Sequence, residues 1–179
     1  MPHRTRRSQA RTFRTLLRRI RRYRPPERLL FGGVYGTVLA SGLAAALDQT
    51  GTAPDPGYDA LWVLISALAA AVVHGYAHAV ANHTAAGEPA AHTVRSVLGE
   101  WPLVAATLPT LGAHLGAYAG WWKQSTAVDV ILVFNAVTLF GWGLWASRVS
   151  GGSWRAACRA GGVYTLLGLL IIVANTFVK

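Results

Sequence analysis

Two histidines, His74 and His78, stand four residues apart in the stretch VVHGYAHAVANH, inside a run that is otherwise apolar. Side chains at i and i+4 share one face of a helix. Two imidazoles placed in this way can grip one metal ion from one side. They can also relay protons, because histidine titrates near neutrality and carries two ring nitrogens. More such groups follow in apolar surroundings: Glu100, Thr107 and His114 at seven-residue steps, then Asp129 and Asn135. What this set can do depends on the elements that hold it.

Those elements are long apolar helices. The 179 residues are 53% hydrophobic and 13% charged, against about 25% charged in soluble domains. A bilayer core of ~30 Å is crossed by roughly 20 apolar helical residues. Five segments meet that length: 29–47, 60–82, 97–121, 128–147 and 156–178. Polar breaks separate them, with Pro54, Pro56, Gly57, Gly87 and Pro89 marking loops. The sequence therefore predicts an all-α, five-span transmembrane helical bundle over residues 29–179, preceded by a basic segment over residues 1–28. The single cysteine, Cys158, excludes an intramolecular disulfide and a cysteine-based metal site.

Charge orients the spans. With the N-terminus in the cytoplasm and the C-terminus outside, fifteen of the seventeen Lys and Arg residues fall on the inner side, and only Lys123 and Lys179 fall on the outer side. That is the positive-inside pattern. Trp62, Trp121 and Trp122 lie at predicted outer boundaries, and Trp101, Trp145 and Trp154 at inner ones, as in an aromatic belt. The first apolar run exceeds the length of a signal-peptide core and four spans follow it, so it reads as a retained anchor. The placement implied is multi-pass, in a bacterial cytoplasmic membrane. In the basic segment, Phe13, Leu16, Leu17, Ile20 and Tyr23 recur at helical spacing, with Arg14, Arg18, Arg19, Arg21 and Arg22 on the other faces. Such a helix suits a leaflet of anionic lipid headgroups. Nucleic acid is a poor third choice of partner, because no RNA-binding pattern accompanies the charge.

Gly32, Gly36, Ala40 and Ala44 form a small-residue ridge on the first span. In lipid, such a ridge is a helix–helix contact face, used within the chain or between the subunits of an expected homo-oligomer. Depth along each helix then orders the polar residues. His78 lies roughly 9 Å and His74 roughly 15 Å from the inner end, and Glu100 roughly 6 Å, Thr107 16 Å, Asn135 20 Å and His114 27 Å. Asp129 lies near the outer boundary. Ionisable groups at such depths usually face the bundle interior or a wet cavity.

Three readings follow. One is a proton or small-cation pathway, with Glu100 beside His78 as inner gate and His114 beside Asp129 as outer gate. A second is a membrane-embedded metal- or haem-binding enzyme, with His74, His78 and Glu100 as the metal ligands. The third is a non-catalytic structural or regulatory membrane protein, whose histidines hydrogen-bond across helices. Transport leads, an enzyme is the less favoured reading, and the cofactor is left open.

The patterns VYGTV (34–38), HGYAH (74–78), EWPLVAATLP (100–109) and GWG (141–143) resemble a group of small polytopic membrane proteins of actinobacterial type. The resemblance covers most of residues 29–178 and excludes the arginine-rich tail. It implies a membrane placement, carries no activity with it, and directs attention to Tyr35, Thr37, His74, Tyr76, His78 and Glu100. The five-span topology is also similar to vacuolar-iron-transporter-like proteins, whose acidic metal-binding features this chain lacks.

Overall fold

A computed structural model describes residues 27–48, 55–86 and 91–178. The basic segment, with Arg14, Arg18, Arg19, Arg21 and Arg22, lies outside the described residues. Seven helices follow one another: α1 (Glu27–Leu47), α2 (Pro56–Ala86), α3 (Ala91–Leu98), α4 (Trp101–Ala105), α5 (Leu108–Tyr118), α6 (Gln124–Val149) and α7 (Trp154–Val178). No strand occurs among the described residues. Helices α1, α2, α6 and α7 are each long and apolar enough to cross a membrane.

The distribution of side chains is inverted relative to a water-soluble bundle. Ile65, Leu68, Val72, Val133, Val137, Leu166 and Leu170 point outward, whereas Thr37, Ser41, Glu100, Thr107, Thr110, His114 and Asn135 are buried. Apolar surface on this scale is costly in water and costs nothing against lipid. All-helical architecture, four spanning-length helices and an apolar exterior together describe a multi-pass membrane protein.

The segment read as a third continuous span is instead built of α4 and α5, with a turn at Ala106 and Thr107 between them. Proline supplies the cause. Pro109 has no N–H to give to the carbonyl of Ala105, and its ring crowds the preceding turn. Thr107 closes the turn by donating both its backbone N–H and its hydroxyl to the Val104 carbonyl, at 3.1 and 2.8 Å. The polar break before it is also shorter than the loop expected. Helix α2 runs on to Ala86, and α3 lies back along it, because a Cβ at Gly75 would overlap the backbone of Val97.

Small residues set the remaining contacts. Gly32, Gly36, Ala40 and Ala44 are all buried. A side chain at Gly32 would meet the Leu103 backbone at 2.9 Å, and one at Gly36 would overlap the Leu103 carbonyl. The ridge thus receives α4 within the chain, and this face is not free for a second copy. On the other side, a side chain at Gly143 would meet the Ala160 carbonyl at 2.7 Å and one at Gly168 would meet Ala136 at 3.1 Å, so the absence of a Cβ lets α6 and α7 close into a hairpin. Helix α6 ends in a glycine cap: Gly151 has φ +85°, its N–H reaches the Arg148 carbonyl, and the Gly152 N–H reaches that of Ser147. Helix α5 ends in the same way at Gly120, φ +78°. This is the left-handed cap for which glycine lacks a steric penalty.

Candidate functional site

The polar residues fall into three groups along the bundle. We call the end holding the α1–α2 and α5–α6 connections the upper end. The lower group forms where α3 gives way to α4. Glu100 occupies that break, held by its backbone N–H to the Val97 carbonyl at 3.0 Å. Its side chain does not cap α4. The carboxylate is 1% exposed, neither oxygen has a hydrogen-bond partner, and Oε1 lies 3.8 Å from Nε2 of His78. That distance is within ion-pair range and beyond a direct hydrogen bond. The His78 side chain is 47% exposed, so it connects a buried acid to the outer surface of the bundle. Arg28 lies close by, with its guanidinium against Gly99.

His74 does not join them. Its Nδ1 lies 3.0 Å from the Ala70 carbonyl. Its ring packs against Tyr35 and Phe31 of α1, with centroids 4.8 and 5.4 Å away. One shared helix face therefore serves two purposes, because Glu100 meets α2 only at the level of His78. The ligand set His74, His78 and Glu100 is not brought to one point, and among the described residues no group of three or more His, Cys, Asp or Glu is arranged to hold a metal ion.

The middle group is neutral. Asn135 of α6 donates through Nδ2 to Ser41 Oγ of α1 at 3.0 Å and to Thr110 Oγ1 of α5 at 3.2 Å. Ser41 in turn donates to the Thr37 carbonyl at 2.8 Å, and Thr37 to the Gly33 carbonyl at 2.7 Å. Thr107 is fully buried in the turn one helical step below Thr110. Ser41 and Thr110 were not among the expected site residues. Their signal was present in the sequence: Ser41 is four residues after Thr37, and Thr110 is three after Thr107.

At the upper end His114 is fully buried, and neither ring nitrogen has a hydrogen-bond partner. The expected neighbour, Asp129, is exposed on α6. Asp129 lies six residues from Asn135, roughly 120° away around the helix, so it cannot share the inward face. This corrects the expected outer gate. The groups that do approach His114 are Gln124, the first residue of α6, and Asp48, the residue after α1. Gln124 donates through Nε2 to Oδ2 of the buried Asp59 on α2.

No family model, curated protein or solved structure matches the chain. The geometry alone therefore carries the functional argument. It consists of a buried carboxylate paired with an exposed imidazole below, a hydrogen-bonded neutral cluster in the middle, and a buried imidazole beside carboxylates above.

Proposed function

We propose that this chain is a five-span protein of a bacterial cytoplasmic membrane, passing protons or small cations through its interior from the upper cluster to Glu100 and His78. The fifth crossing is the broken segment α4–α5. Trp101–Tyr118 rises ~27 Å if helical throughout, close to the ~30 Å of a bilayer core. Its contacts support a full crossing: Glu100 meets His78 near one end of α2, and His114 lies beside Gln124, which bonds Asp59 near the other end. Non-helical backbone at membrane depth is tolerated where protein buries it, and Thr107 is fully buried. The arginine-rich tail marks the cytoplasmic side and meets anionic headgroups.

The observation that carries the reading is Glu100. A carboxylate withdrawn from water without hydrogen bonds costs several kcal/mol, and a helix that needed only packing would not keep one. Its neighbour His78 can exchange protons with it and with the surroundings. The metalloenzyme reading has less support, since His74 turns to α1 while His78 turns to Glu100.

The test is flux into liposomes holding purified protein, read with a pH dye and with Na⁺ and K⁺ indicators. Wild-type protein is expected to carry one of these ions. Glu100→Gln, which keeps the shape, is expected to reduce the rate by about 100-fold, with thermal stability retained or raised. Absence of flux in the wild type at every pH and voltage overturns the proposal.

A further inference from the structure

The upper cluster leaves specific atoms unsatisfied. His114 has two ring nitrogens without partners, and Gln124 has its Oε1 buried without one. Gln124 is not free to turn, because its Nε2 is held by Asp59, which directs Oε1 away from that carboxylate. From the elements packed around α5, Asp59 of α2, Asp48 after α1 and Gln124 of α6 face this region, and Asp55 faces Asp59. Lys123 and Asp129 are exposed. A neutral imidazole offers one donor and one acceptor, an imidazolium offers two donors, and an amide oxygen can only accept.

We propose that His114, Gln124 and Asp59 form a proton-binding site, and that the ion entering the pathway at this end is a proton and not a metal cation. This names the ion of the pathway proposed above and so rests on that reading. In the binding step a hydronium ion gives its proton to the imidazole lone pair and leaves as water. The ring becomes an imidazolium, and one of its N–H groups donates to Gln124 Oε1. The same amide already donates to Asp59, so the carboxylate strengthens the new bond through a polarised chain, and bonds from a charged donor are the stronger kind. A bare cation fits these atoms poorly. Alkaline-earth ions take shells of oxygen ligands, and zinc-type metals need more than one nitrogen or sulfur ligand, whereas this cluster offers a single imidazole.

The experiment is ¹⁵N-histidine NMR on the full chain in lipid nanodiscs. His114 is expected to titrate in one step, with the same midpoint in sodium, potassium or choline chloride. Gln124→Leu is expected to weaken proton binding about ten-fold. Asp59→Asn, which keeps the shape, is expected to weaken it several-fold and keeps the test decisive if Gln124→Leu does not fold. A ring that stays neutral throughout, a midpoint that moves with the alkali ion, or a titration that neither variant changes overturns the site. Flux separates the two proposals. Titration as expected with no proton flux retains the site and overturns the pathway. Proton flux with a His114 that does not titrate retains the pathway and overturns the site.

Discussion

The α6–α7 hairpin and the α4–α5 segment are both apolar in sequence, yet the bundle uses them in opposite ways. The hairpin is two unbroken helices drawn together over Gly143, Gly161 and Gly168, with a glycine-capped turn between them. Most of its outward surface is aliphatic. The α4–α5 segment is short, interrupted at Thr107, and packed on its inner side against α1, α2 and α6 while Trp101, Leu108 and Leu115 face outward, and it brings Glu100, Thr107, Thr110 and His114 into the interior. Continuous helix meets lipid because all its backbone bonds are internal, while broken helix needs protein around it. The segment that carries the ionisable groups is thus also the one whose backbone is most dependent on its neighbours.

The sharpest way to break this arrangement is at the contact between α1 and α4. Gly36→Val would drive a branched side chain into the Leu103 carbonyl and the Ala106 Cβ. Overpacking at such a contact costs about 3 kcal/mol, enough to abolish folding or to expel α4 from the bundle. Gly162→Ala in α7 serves as the comparison, because open space surrounds that position; its effect is expected to be neutral or a stabilisation of up to about 1 kcal/mol. Thermal unfolding in lipid nanodiscs measures both. Equal effects at the two positions would mean that the ridge does not seat the broken segment.

A smaller effect is expected in the middle group. Asn135→Leu removes both side-chain bonds that tie α6 to Ser41 and Thr110. Interhelical bonds in membranes average about 0.6 kcal/mol each, so a loss of about 1 kcal/mol in stability is expected. If the neutral cluster lies on the ion route, flux falls by more than this change in stability accounts for. A variant as active as wild type would confine Asn135 to packing.

The sequence was most legible where periodicity and length suffice. Four helices follow from runs of apolar residues, and the small-residue ridge is a repeat of four that a helix must place on one side. The pairing of His78 with Glu100 was also legible, since depth alone brings them to one level. Three features were not. Pro109 is visible, but whether a proline kinks a helix or divides it depends on the packing of the turn, and here Thr107 is buried against the bundle while Leu108 and Pro109 face outward. Depth puts Asp129 near the outer boundary but leaves its angle around α6 open, so depth cannot separate inward from outward. Gln124 and Asp59 each sit in the first turn of a helix, and nothing local indicates that two helix starts 65 residues apart in sequence meet.

His74 provides the finest test of how far the two histidines of α2 differ. Its ring sits between Phe31, Tyr35 and the Ala70 carbonyl, where another aromatic ring fills the same space. His74→Phe keeps the contact with the α1 aromatics and loses one local hydrogen bond, so stability is expected to change by less than about 1 kcal/mol. Flux is expected to change by less than about two-fold, against the much larger loss for Glu100→Gln and a comparable loss for His78→Phe. The two single variants carry the same chemical change four residues apart on one helix face, so general effects on the bundle cancel between them. If His74→Phe abolishes flux while the protein stays folded, the ion route passes by Tyr35 and not by Glu100 alone, and the division of labour along α2 is wrong.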